Sequence, residues 1–129
     1  MSEPLTLFRY AERLAVVRLG PGADVPSWAT SATLFSVTAT AAETSLVCGW
    51  ASAPTKARPQ GPFTAFQVDG PLDFALTGIL SGLLAPLAEE QISVFTISTF
   101  DTDWVLVGSD AADRAEEVWR RSGHTVSAA

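Results

Sequence analysis

The sequence predicts an α+β protein whose second half runs β-α-β-β-α-β, an antiparallel sheet with its helices on one face. Three observations carry this. Short apolar, β-branched runs are separated by turn residues. Two longer stretches of the second half have helical apolar spacing. A segment of the first half, Phe35–Val47, aligns without a gap to Phe95–Val107. The chain thus reads as a degenerate tandem repeat, and its first half as an abridged β-α-β-β.

The elements follow in order. Residues 13–19 are expected to form a strand that ends at Gly20-Pro21, and 24–30 at most a short helix. Residues 34–40 and 44–50 read as a hairpin. Pro54 to Pro62 carries three prolines with Lys56 and Arg58, and reads as a linker. The expected modules are therefore 1–58 and 59–129. Residues 63–69 form the next strand, closed by Gly70-Pro71. Residues 74–90 read as a helix, with Leu76, Leu80, Leu83 and Leu87 on one stripe and Asp73 as its cap. Pro86 should bend or tighten it, and Gly78 and Gly82 should flatten one face. Residues 92–99 and 102–108 make a second hairpin. Residues 110–122 make a helix, capped by Ser109 or Asp110 and ended by Gly123, with Ala111, Ala115, Val118 and Trp119 inward. His124 to Val126 adds a last short strand. The second half is the ferredoxin-like arrangement.

Composition narrows the function. The chain has 129 residues, 47% hydrophobic and 17% charged, enough to bury a core. Fourteen acids against eight bases give a net charge of −6, and Lys56 is the only lysine. No basic run exists to track a phosphate backbone, so nucleic acid is not an expected partner. The charge favours a cationic or zwitterionic ligand over an anionic one. The most apolar segment, Phe74 to Leu87, is too short to span a bilayer. The N-terminus shows no basic-then-apolar leader. No membrane partner is expected, and the cytoplasm is the expected location.

Catalytic constellations are hard to assemble. His124 is the only histidine, expected at the surface or a strand end, and no nucleophile signature accompanies it. Cys48 is the only cysteine and sits in an apolar run, so a buried, inert thiol is expected. Cys48 and His124 cannot make a structural zinc site. Asp101 and Asp103 lack the glycine-centred loop and distal acid of a calcium site. No metal or cofactor is expected, and binding is favoured over catalysis.

The turn Ser98-Thr99-Phe100-Asp101-Thr102-Asp103 offers the best site. In a β-α-β-β unit of this topology the first and third strands are adjacent. Asp103 then approaches Gly70-Pro71-Leu72-Asp73-Phe74. Free N–H groups at the helix start suit a carboxylate, while Asp101 and Asp103 suit an ammonium. Together they suit an α-amino acid. Aspartate and threonine are also ordinary turn residues, so a purely structural turn is the alternative.

Gly70 to Val107, GPLDFALTGILSGLLAPLAEEQISVFTISTFDTDWVLV, resembles ACT domains of the amino-acid-sensor type, related to those of aspartate kinase and the arginine sensor CASTOR. Val37 to Cys48 is similar to the preceding ACT-like half of small tandem proteins of this kind. The resemblance implies a non-catalytic regulatory protein that binds an amino acid allosterically. It implies that backbone around Leu72, Asp73 and Phe74 takes the carboxylate. Ser98, Thr99 and Phe100 would line the site, Asp103 would take an ammonium or basic side chain, and Asp101 is a weaker candidate. Glu43 enters through its alignment with Asp103. Output would pass through a homodimer or a regulated protein partner. The alternative is a ligand-independent dimerisation module, with Trp28, Trp50, Trp104 and Trp119 available for an interface or a core.

Overall fold

Our computed structural model describes residues 4–73 and 77–129. Seven strands and two helices follow in order: β1 (Thr6–Leu19), β2 (Ser36–Ala39), β3 (Thr44–Gly49), β4 (Gln60–Val68), α1 (Ile79–Glu89), β5 (Val94–Ser98), β6 (Asp103–Gly108), α2 (Ala112–Arg121) and β7 (Thr125–Ala128). The chain divides into two compact units, residues 12–63 and residues 1–11 with 64–129. The fold is α+β and of the expected ferredoxin-like kind.

In the unit of residues 64–129, β4-α1-β5-β6-α2-β7 is the expected β-α-β-β-α-β run. Its strands lie in the order β7-β1-β4-β6-β5. The first and third strands of the run, β4 and β6, are neighbours as the topology requires. The first part of β1 is inserted between β7 and β4 and pairs parallel to β7, from Thr6 opposite Thr125 to Arg9 opposite Ala128. The expected strand began only at residue 13, where apolar and β-branched residues dominate, and the observed one begins at Thr6. Arg9 is satisfied far along the chain, by Asp113 at 2.8 Å and Glu116 at 3.2 Å on α2.

One sheet face carries Leu7, Phe66, Val68, Val105 and Val107, and both helices pack against it. Leu83 and Leu87 of α1 are fully buried there, with Leu80 half-buried beside them. Leu76 and Phe74 lie outside the described residues. On α2 the buried residues are Ala112, Ala115, Val118 and Trp119, close to the expected face. Trp119 packs edge-on to Phe66 at 4.8 Å, and its indole N–H donates to the Leu83 carbonyl at 2.9 Å. A bare aromatic N–H would be costly to bury, so this bond ties α2 to α1 as well as filling the core.

Two helix starts differ from expectation. The helix α1 begins at Ile79, not 74. Gly78 is its cap and takes a left-handed backbone, φ 80°, which glycine adopts without steric penalty. Gly78 therefore sets where the helix starts and does not flatten its face. Asp73 does not occupy the cap position. At α2, a 3-10 turn over Ser109–Ala111 precedes the helix, and neither Ser109 nor Asp110 forms a side-chain cap. Gly123, φ 96°, follows its end as expected.

His124 is at a strand end but buried, not on the surface. Its Nδ1 accepts the Leu5 amide at 3.0 Å, so the ring proton sits on Nε2. Burial holds the imidazole below its usual range. The unfolded chain therefore takes up this proton first. The stability this residue contributes is present above pH ~6.5 and is lost as pH falls through its lower folded value. We expect the melting temperature to drop on acidification from pH ~7 to ~5, and His124→Asn, which keeps an acceptor for Leu5, to flatten that drop. Equal pH profiles for the two proteins would contradict this assignment.

In the unit of residues 12–63, β2 pairs with β3 and β3 with Leu14–Leu19 of β1, both antiparallel. Ala15, Val17, Ala29, Leu46 and Cys48 form its core. The Cys48 thiol is fully buried, and burial raises its pKa. Residues 24–30 form no helix. Tertiary bonds hold this stretch instead, with the Gly49 amide donating to the Thr30 carbonyl at 2.7 Å. The Pro-rich segment contains a 3-10 turn at Thr55–Ala57, and β4 already begins at Gln60.

Candidate functional site

The β5–β6 turn is built by threonines. Thr99 N–H donates to the Thr102 carbonyl at 2.9 Å, and its hydroxyl donates to the same carbonyl at 3.1 Å. The Thr102 hydroxyl is buried and donates to the Val68 carbonyl at the end of β4, at 2.6 Å. Leu72 N–H donates to the Asp101 carbonyl at 2.6 Å. These two bonds lock the turn against the β4–α1 connection. Gly70 makes the approach possible: a Cβ there would lie 2.9 Å from the Asp101 carbonyl oxygen and 3.1 Å from the Thr102 Cβ.

A cavity of about 320 Å³ lies between the turn and the start of α1. Leu72, Asp73, Gly78, Ile79 and Leu80 line it from the connection and the helix. Ser98, Thr99, Phe100, Asp101, Thr102 and Asp103 line it from the hairpin. Its size falls at the lower end of small-molecule sites. Among the described residues the first bond of the helix ladder runs from Gly82 N–H to the Gly78 carbonyl at 2.9 Å. The amides of Ile79, Leu80 and Ser81 precede it, so they are the donor end of the helix. Asp103 accepts from the Ser98 hydroxyl at 2.7 Å, which fixes the carboxylate's orientation. Among the described residues no cation pairs with Asp101 or Asp103. Phe100 is 80% exposed at the tip of the turn.

Seven of the nine expected site residues thus line one cavity: Leu72, Asp73, Ser98, Thr99, Phe100, Asp101 and Asp103. Phe74 lies outside the described residues. Glu43 does not line it. The two hairpins are related by a shift of 59 residues, not 60, along their strands as well as at their turns. Thr40 N–H donates to the Glu43 carbonyl just as Thr99 N–H donates to that of Thr102. Glu43 is therefore the counterpart of Thr102, and Asp103 that of the buried Thr44. The gapless alignment is one residue out along the whole hairpin. Ile79, Leu80 and Gly78 were missed as lining residues because the helix was expected to start five residues earlier. Glycine followed by an apolar helical run was the available clue.

Among the described residues no three histidine, cysteine, aspartate or glutamate side chains gather to hold a metal. No helix there is long and apolar enough to cross a membrane.

Comparisons with known proteins bear on the same segment. A structure of an Agobacterium tumefaciens protein is 29% identical, with TM-score 0.90, and the match covers 99% of this chain and 96% of that one. A Vibrio cholerae protein of unknown function, described as a possible transport protein, is 15% identical at TM-score 0.73, covering 92% and 89%. The aspartate kinase of Clostridium acetobutylicum, an allosteric enzyme, is 11% identical at TM-score 0.65. That match covers 90% of this chain but 34% of the kinase, and like the Vibrio one it concerns the fold alone. No curated protein matches. Residues 12–56 match a model of an N-terminal domain. Residues 60–120 match the family model of the ACT domain, a regulatory domain, and the whole cavity lies within that span.

Proposed function

We propose that the protein is a non-catalytic regulatory module that binds one free α-amino acid in the cavity between α1 and the β5–β6 turn. The observation that carries this reading is the cavity's pairing of chemistries. The amide end of α1 favours a carboxylate, and the aspartates of the turn favour an ammonium. Ser98 holds Asp103 in one orientation, so part of the ordering is complete before a ligand arrives. A zwitterion satisfies both walls, whereas an anion meets Asp101 and Asp103 unfavourably. The ACT match supports a binding role over an enzymatic one.

Ligand that binds only the folded state raises the melting temperature by mass action. At a concentration of ~100 times Kd the added stability is about 2.7 kcal/mol. At least one of the common amino acids at millimolar concentration is expected to shift the melt. Asp103→Ala should abolish that shift while leaving the unliganded melt near the parent value. A screen with no shift for any amino acid removes the reading.

One observation favours a second reading, ligand-independent dimerisation. Strand β5 is the last of its sheet order, pairs with β6, and exposes Val94. An open strand edge is a template for a second chain. Sedimentation with and without amino acid separates a constitutive dimer from a ligand-switched one.

A further inference from the structure

A second cavity, of about 480 Å³, lies within the unit of residues 12–63. Its lining includes Glu12, Thr30, Ser31, Ala32, Gly49 and Ser52. Among the described residues Glu12 is the only charged one in its lining. One carboxylate oxygen, Oε1, accepts from the Ser31 hydroxyl at 2.8 Å and the Thr33 amide at 2.9 Å. The other, Oε2, faces Gly49: a Cβ on that residue would come within 2.9 Å of Oε2 and 3.1 Å of the Thr30 carbonyl. Only glycine leaves that approach open. The Thr30 carbonyl is itself engaged by the Gly49 amide and the Ser52 hydroxyl, so the wall around Oε2 is fixed by tertiary bonds.

Among the described residues no cation pairs with Glu12. Burial pushes its carboxyl up, but the bonds from Thr33, Ser31 and the Ala32 backbone outweigh this and hold it below the ordinary carboxylate range. It is therefore ionised at neutral pH. A partly buried carboxylate that lines a cavity with no cation beside it among the described residues lacks a counter-charge, and a charge-assisted donor would supply it.

We propose that this cavity is a second ligand site, for a small organic cation bearing an ammonium or guanidinium group, with Glu12 Oε2 as the acceptor. The proposal does not depend on the amino-acid reading of the other cavity.

Agmatine, which carries both cationic groups, tests it. Amide NMR spectra of the full chain are followed to ~10 mM, where a site with Kd ~1 mM is about nine-tenths filled. The Ser31, Thr33 and Gly49 amides should move, and should move equally in Asp103→Ala, which removes the other acidic cavity from consideration. Glu12→Gln keeps an oxygen for Ser31 and Thr33 but replaces Oε2 by a donor. It should weaken binding at least ~10-fold, a loss of about 1.4 kcal/mol. Raising the ionic strength on the parent protein, which needs no variant to fold, should also weaken it. Unmoved amides at those three residues, undiminished binding by Glu12→Gln, or salt-independent affinity would each overturn the proposal.

Discussion

Trp119→Ala is expected to remove a large part of the protein's stability. The side chain is fully buried and is the largest such side chain among the described residues. Truncating a core tryptophan costs about 3–5 kcal/mol through lost transfer energy and the cavity left behind. The Leu83 carbonyl also loses its donor, and an unsatisfied buried acceptor adds about 1–3 kcal/mol where water cannot reach it. Against a total stability of about 5–15 kcal/mol, the variant should be barely folded or unfolded at 37 °C. Trp119→Phe separates the two contributions. It keeps most of the ring against Phe66 and loses the N–H, so a smaller loss of about 1–3 kcal/mol is expected. Urea unfolding followed by far-UV dichroism measures both. A loss under ~1 kcal/mol for the alanine variant would show that α1 and α2 are not tied through this residue.

Gly70→Ala is expected to harm both stability and ligand response. The added Cβ meets a backbone oxygen at 2.9 Å, so the turn and the connection must part. Overpacking of this kind costs about 1–3 kcal/mol. The displaced turn carries Asp101 and Asp103, so affinity at the cavity should fall at least ~10-fold. Gly20→Ala is the control. Gly20 precedes the other Gly-Pro corner in the sequence, yet nothing lies within 4 Å of its added Cβ. Its effect should stay within ~0.5 kcal/mol. Equal stability losses for the two variants, read from urea midpoints, would sink the argument that the Gly70 corner is a contact and not merely a bend.

The hairpins and α2 were legible because their information is local: β-branched runs around short polar turns, and an apolar stripe on an acidic and basic helix. The meeting of Gly70 with the Asp101–Thr102 turn was legible from topology, since adjacent first and third strands place it there. Other features were not, because distant parts of the chain decide them. The first part of β1 carries Arg9, whose partners Asp113 and Glu116 lie on a helix far along the chain. Residues 24–30 read as a weak helix until Gly49 claims the Thr30 carbonyl. Gly78 has two meanings in a helical pattern, packing face or left-handed start, and spacing alone does not choose between them. The Glu43 pairing was one residue out because Phe35 with Phe95 and Leu46-Val47 with Leu106-Val107 match by residue type, whereas the strand registers correspond at 59 along the whole hairpin.

The insertion of the first part of β1 between β7 and β4 has a consequence for how the molecule can be made. Leu5 and its acceptor His124 are 119 residues apart. During synthesis this unit stays open until residues 124–128 have left the ribosome, so its early strand waits unpartnered on one side. Closing so long a loop is entropically slow. A fragment starting at residue 59 would leave the flanks of β4 and β7 bare, an invitation to pair with neighbouring chains.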